Sequence, residues 1–200
     1  DIVNALLANR NVVDRKDQNT FFNPPNPFDI SLMEIGIDKK ELVKTIKRLI
    51  KAKKEKEAIV IYGDYDADGI CGTAILWECM YKLGFNVLPY IPERFSEGYG
   101  INFESVKALK EKDGNLDLVI TVDNGIVATE DIEKINTLGI DVIVSDHHQK
   151  AKIIPSAYSL IYTDKICGAS VAWVLAREIN NSFSSLKINT NKELEDLLSL

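Results

Sequence analysis

Apolar positions change their period along the chain, and the changes outline its elements. Between residues 38 and 57 they fall at Leu42, Val43, Ile46, Leu49 and Ile50, the 3.6-residue spacing of an amphipathic helix. The other face of that helix is read as carrying nine bases between Lys39 and Lys56. Short apolar runs then alternate with helical spacing. Strands are predicted over Ala58–Tyr62, Asn86–Ile91, Asp117–Val122, Ile140–Ser145 and Tyr158–Tyr162. Helices are predicted over Ile70–Leu83, Asn102–Lys112, Thr129–Leu138 and Gly168–Asn180, and Gly84, Gly114 and Gly139 stand where left-handed caps belong. Runs such as Leu118-Val119-Ile120 and Val142-Ile143-Val144 do not alternate, which implies burial on both faces, as in a parallel sheet. The whole pattern predicts an α/β fold: a doubly wound, mainly parallel five-stranded sheet flanked by helices.

Residues 1–37 break this rhythm and are expected to form an N-terminal arm packed on a core domain of residues 38–200. A short apolar start at Ile2, Val3, Leu6 and Leu7 gives way to a polar stretch from Asn9 to Thr20. Pro24, Pro25 and Pro27 then exclude regular structure, with the flanking Phe residues expected to pin the arm down. At the other end Thr190 and Glu193 form a capping box before Leu194, Leu197, Leu198 and Leu200, so a further helix is expected to begin there.

A hydrophobic share of 46% in 200 residues supports one sizeable core. The net charge of -6 provides no global basic field, so any nucleic-acid contact must use local patches. The basic face of the 38–57 helix is either solvated or turned toward phosphate. Cys71, Cys79 and Cys167 are odd in number and form no C-x-x-C pair, which argues for a reduced, intracellular chain without a cysteine-type zinc site. No apolar run approaches the roughly 20 residues of a membrane span, and no signal-peptide pattern opens the chain. A soluble, cytoplasmic monomer is expected.

The chemistry gathers behind the strands. Asp64, Asp66 and Asp68 follow the first strand at every second position, and Gly69 comes next. Such a cluster is expensive to desolvate unless a cation compensates it, and hard divalent ions with oxygen ligands are the usual partners. An EF-hand would need Glu where Ile75 stands, and a P-loop would need Lys after Gly69, where the chain has Ile70-Cys71. A merely solvated acidic turn is the remaining alternative. Against it, Val122-Asp123-Asn124-Gly125 and Ser145-Asp146-His147-His148 close two further strands, and ligands of open parallel sheets lie beyond strand carboxyl ends. Carboxylates with imidazole suit manganese or magnesium better than zinc. Two ions about 4 Å apart would activate water and stabilise an in-line phosphoryl transition state, so the spacing points to metal-assisted phosphoester hydrolysis.

These same segments, Gly63–Gly69, Val122–Gly125 and Asp146–His148, resemble the first three motifs of the DHH phosphoesterases, and within that family the RecJ-type single-strand-specific 5′→3′ DNA exonucleases. Similarity extends through Ile91-Pro92-Glu93-Arg94-Phe95-Ser96-Glu97-Gly98-Tyr99-Gly100, the Phe-Asn-Pro element near residue 22, and Cys167–Ala172. The resemblance implies Mn²⁺ or Mg²⁺, with two ions in the complete protein, held by Asp64, Asp66, Asp68, Asp123 and His147, Asp123 bridging. It implies that His148 faces the scissile phosphate, that Asp146 orients an imidazole, and that Arg94 and Tyr99 contact the substrate by a guanidinium fork and a stacking ring. Single-stranded DNA is then the expected partner, and DNA repair and recombination the expected setting. Two enzymatic or binding alternatives stand beside it: a DHH-type phosphodiesterase for oligonucleotides or cyclic dinucleotides, and a non-catalytic DNA-binding scaffold. The first of these relatives carries His where this chain has Tyr62, and the second has no need of an intact charge cluster. In the family a further metal-binding Asp and a second domain follow a helix resembling Glu193–Leu200. The chain is therefore expected to be truncated before both, with its second metal weak or absent and little turnover of its own. The segment from His148 to Cys167 is also shorter than is usual in the resembling exonucleases.

Overall fold

A computed structural model describes residues 2–183. The expected helix start at Thr190–Leu200 lies outside the described residues. The chain divides into two compact units, Asp1–Ile35 and Gly36–Leu200.

The first unit is more ordered than its polar composition predicts. It contains α1 (Ile2–Ala8), α2 (Arg15–Phe22), a 3-10 turn (Pro27–Asp29) and α3 (Leu32–Ile35). Capping explains the difference. Asp14 accepts from the Asp17 amide at 2.7 Å and starts α2 inside the polar stretch from Asn9 to Thr20. Asn26 accepts from the Phe28 amide at 2.9 Å, and Pro27 takes the first position of its turn, where a missing N–H is harmless. Ser31 and Glu34 form a reciprocal capping box at α3.

The second unit opens with α4 (Lys39–Glu55) and continues through β1 (Ala58–Tyr62), α5 (Ala67–Lys82), β2 (Val87–Tyr90), α6 (Phe103–Asp113), β3 (Leu116–Val122), α7 (Thr129–Thr137), β4 (Asp141–Asp146), β5 (Ser159–Tyr162) and α8 (Gly168–Phe183). All five strands are parallel, in the order β2-β1-β3-β4-β5. This is the doubly wound arrangement that the alternation predicted. Helices α5 and α8 pack on each other and on one face of the sheet, with α4 against β5 and α8, while α6 and α7 cover the other face. On the α6–α7 side Val60, Tyr62, Val119, Val142 and Val144 from the strands join Val106, Ile132 and Ile135 in one core. On the other side α5 and α8 approach closely at Gly72, where a Cβ would meet Val122 Cγ1 at 2.7 Å and Ala169 Cα at 3.1 Å.

Helix α4 departs from its expected faces. Its buried stripe is Leu42, Thr45, Arg48, Leu49 and Ala52, whereas Val43 and Ile50 are exposed. Arg48 is thus not on the basic solvated face. Its guanidinium donates to Glu57 Oε2 and Asp141 Oδ2, both at 2.6 Å, and to the Asp117 carbonyl at 3.3 Å. A planar fork facing two carboxylates stabilises a charge that helical spacing alone would place in water. The network ties α4 to the amino ends of β1, β3 and β4.

Candidate metal centre

The order of strands creates a switch point between β1 and β3, where successive connections leave in opposite directions and a crevice forms at the carboxyl edge. Asp64 and Asp66 follow β1, and Asp123 follows β3. One carboxylate oxygen from each lies within 4.8 Å of the others. A second group under the same limit joins Asp123 to His147 and His148 after β4, so Asp123 belongs to both.

Local structure fixes each side chain. Helix α5 begins earlier than the apolar spacing suggested because Asp66 caps it, accepting from the Gly69 amide at 2.9 Å. The third acidic residue, Asp68, consequently sits in the first helical turn. Gly69 is required by close approach: a Cβ there would stand 2.6 Å from both Asp64 Cβ and the Asp64 carbonyl oxygen. Asp64 is buried and accepts from the Tyr65 amide at 2.8 Å. Asp68 turns to α8, its two oxygens accepting from the Gly168 and Ala169 amides at 2.7 Å each, so it caps that helix's positive end. It also lies 3.6 Å from His147 Nε2.

Asp123 is the most constrained member. Its backbone adopts a left-handed conformation at φ 62°, which few non-glycine residues tolerate, and its side chain is buried. Its Oδ1 has no hydrogen-bond partner, although His147 Nε2 lies 3.1 Å away outside hydrogen-bonding alignment. Among the described residues it is the one buried carboxylate oxygen in that state. Burial first, then the neighbouring Asp68 and Asp66, push its pKa up to about 8. Burial also raises that of Asp64, with Asp66 adding to the effect. Gly168 makes the room, since any Cβ there would collide with the Asp123 carboxylate. A buried, unsatisfied carboxylate shared by two donor groups of carboxylates and imidazoles fits a hard or borderline divalent cation.

The histidines differ in their ties. Asp146 is buried and fully engaged: Oδ1 accepts from the His147 amide at 2.7 Å, the His148 amide at 3.1 Å and His148 Nδ1 at 2.8 Å, and Oδ2 accepts from the Ile126 amide at 2.9 Å. It has the geometry of an orienting residue. Burial opposes the charged form of His148, but Asp146, Asp123 and Asp64 outweigh it and hold the pKa above the ordinary value. His148 Nε2 lies 3.2 Å from Tyr99 Oη.

Tyr99 belongs to the loop after β2. Its ring meets His148 and Tyr65 edge-on, at centroid distances of 5.9 and 6.3 Å, and the Arg94 guanidinium stands 5.0 Å above the Tyr65 ring. Arg94 and Tyr99 are therefore brought to the same edge as the acidic residues, linked through Tyr65. Glu97 anchors the loop by accepting from the Tyr90 and Ser105 hydroxyls and from the Glu93 amide.

Asn124 is not singled out by the sequence pattern, yet its side chain joins three segments behind Asp123. Its Nδ2 donates to the Tyr62 carbonyl at 3.2 Å and the Val122 carbonyl at 2.9 Å, and its Oδ1 accepts from the Ile101 amide at 3.1 Å. The available signal is an amide between Asp123 and Gly125 at a strand end. Tyr62 itself points into the core beside Tyr90, its hydroxyl accepting from Asn102.

With this geometry in place, comparison with known proteins is informative. Residues 58–200 match the DHH family, N-terminal domain. The single-stranded-DNA-specific exonuclease RecJ of Bacillus subtilis (strain 168) is 34% identical over 192 residues, 89% of this chain and 23% of the relative. The RecJ of Thermus thermophilus is 38% identical over 133 residues, 64% of this chain and 20% of the relative. The chain thus spans less than a quarter of the length of these relatives. A crystal structure of exonuclease RecJ bound to manganese superposes with a TM-score of 0.69 at 33% identity, covering 80% of this chain and 41% of that one. A match that runs from β1 through all three acidic turns settles the kinship: the chain belongs to the DHH family.

Proposed function

We propose that this chain forms the catalytic core of a metal-dependent phosphodiesterase, a RecJ-like 5′→3′ exonuclease for single-stranded DNA. The observation that carries the reading is the buried, partnerless Asp123 oxygen shared by two donor groups. Relatives named as single-stranded-DNA-specific exonucleases, and a RecJ solved with manganese, support the substrate and the ion.

In this reading Asp64, Asp66, Asp123 and His147 hold the cations, Mn²⁺ or Mg²⁺, with Asp123 common to both sites. Asp68 can join them through the lone pairs that its oxygens keep beside the α8 amides, 3.6 Å from His147 Nε2. When bound, divalent cations supply Lewis-acid stabilisation of the phosphoryl charge and lower the pKa of an attacking water. His148 acts from the rim. Asp146 fixes its ring and favours its protonated form, so that it donates to a phosphate oxygen or to the leaving group. Tyr99 holds the Nε2 side until substrate replaces it. Arg94, exposed above Tyr65, offers a guanidinium fork to a neighbouring phosphate.

The test uses the full-length protein and a single strand labelled at either end. Shortening from the 5′ end only with Mn²⁺ or Mg²⁺ present is expected, and Asp123→Ala should lower the rate by about a thousandfold or more with far-UV circular dichroism unchanged. Activity that survives chelation, or cyclic dinucleotides cleaved much faster than single strands, would refute the assignment.

A further inference from the structure

Beyond the turn that carries His147 and His148, a groove of about 810 Å³ runs beside β5, lined by Asp38 and Glu41 at the start of α4 and by Lys150, Tyr162, Asp164 and Lys165. Nothing in the chemistry above uses it. It lies across the metal centre from the Arg94–Tyr99 loop, because β2 and β5 are the opposite margins of the sheet. From β3 to β5 is two strand spacings, about 10 Å. Neighbouring nucleotides of an extended strand cover such a span.

The lining has the parts of a nucleotide site. Tyr162 is half-buried at the end of β5, and Lys150 Nζ stands 3.9 Å from its ring centroid, a cation stacked on an aromatic face. Two of the acids are already committed to backbone: Glu41 accepts from the Leu160 amide at 2.9 Å, and Asp38 from the Lys40 amide at 2.7 Å. They provide acceptor oxygens at the wall, suited to base amino groups, while Lys150 remains exposed at the mouth nearest His148. The volume falls in the range of small-molecule sites. A π-face with an adjacent cation is the general platform for an unpaired base and its phosphate.

We propose that this groove is a second nucleotide subsite, seating a base of the single strand against Tyr162 with its phosphate at Lys150, on the side of the metals away from Arg94. The proposal rests on the nuclease reading and deepens it. It gives the strand a direction across the sheet edge, with contacts on both flanks of the scissile phosphate.

The experiment compares, in the full-length protein with Mn²⁺, the p-nitrophenyl ester of thymidine 5′-monophosphate, which is too short to reach the groove, with a short single-stranded oligonucleotide. Tyr162→Ala and Lys150→Glu should each raise KM for the oligonucleotide about tenfold more than KM for the ester, and Tyr162→Phe should restore the wild-type ratio. Lys150 is exposed, so its replacement does not endanger folding. An unchanged KM ratio in both variants of an active enzyme overturns the subsite alone. So does an equal loss on the two substrates, which would mark damage at the metal centre. A wild type inert toward both substrates overturns the nuclease reading and the subsite with it.

Discussion

Two clusters of charge sit at opposite ends of the same sheet, and they are built on opposite terms. At the amino edge Arg48 is 3% exposed and meets Glu57 and Asp141 at 2.6 Å each, so its charge is compensated within the chain. At the carboxyl edge Asp123 is 1% exposed and has no hydrogen bond to Oδ1, with Asp64 and Asp66 adding like charge nearby. Equal burial with unequal compensation separates the roles. The first cluster is complete and serves the fold. The second leaves a buried carboxylate oxygen unsatisfied, which is the ground for proposing a cation there rather than a structural bond.

The contrast can be broken most forcefully at the amino edge. Arg48→Met leaves two carboxylates without their partner and should destabilise the protein by about 3–5 kcal/mol in urea unfolding. A smaller loss would mean that water replaces the guanidinium. Next in size is the response to metal. Mn²⁺ at a hundredfold excess over its Kd should stabilise the wild type by about 2.7 kcal/mol. The gain should persist in Arg48→Met and vanish in Asp123→Asn; a gain that survives in the latter would place the ion elsewhere.

The smallest expected effect has the opposite sign from the first. In chelator at neutral pH, Asp123→Asn should raise stability by on the order of 1 kcal/mol, because the fold must hold that carboxyl protonated, a cost that the neutral amide does not carry. The pH dependence follows from the pKa near 8. The folded, metal-free protein retains a proton that the unfolded chain releases near pH 4, so stability should fall as pH rises from about 4 through about 8. Asp123→Asn should flatten that slope in thermal melts between these limits. Were the two proteins to melt in parallel across this range, the carboxylate would have a partner after all.

How much of this was legible beforehand follows the range of the interactions. The parallel core was readable because Leu118-Val119-Ile120 and Val142-Ile143-Val144 are apolar on both faces, a local property of each strand. The acidic turns were readable because a carboxylate placed directly after a strand end faces the crevice whatever the distant packing. Arg48 was not, since its burial depends on Asp141, far away in sequence, and helical periodicity counts only apolar residues. Nor was Asn124, whose bonds reach back to Tyr62 and Ile101. The short helix α2 has no apolar stripe to mark it, and a cap at Asp14 begins it instead. Asp68 looked equivalent to its neighbours, and only the start of α8 distinguishes it.

That capping by Asp68 carries a consequence for ion loading. Each of its two oxygens accepts one amide of α8 and keeps a second lone pair, so a cation that draws on Asp68 would be tied through it to the start of that helix. In the proposed reading, loading an ion there would steady the first turn of α8 together with the acidic turns, a coupling that slower amide exchange at Gly168 and Ala169 would reveal.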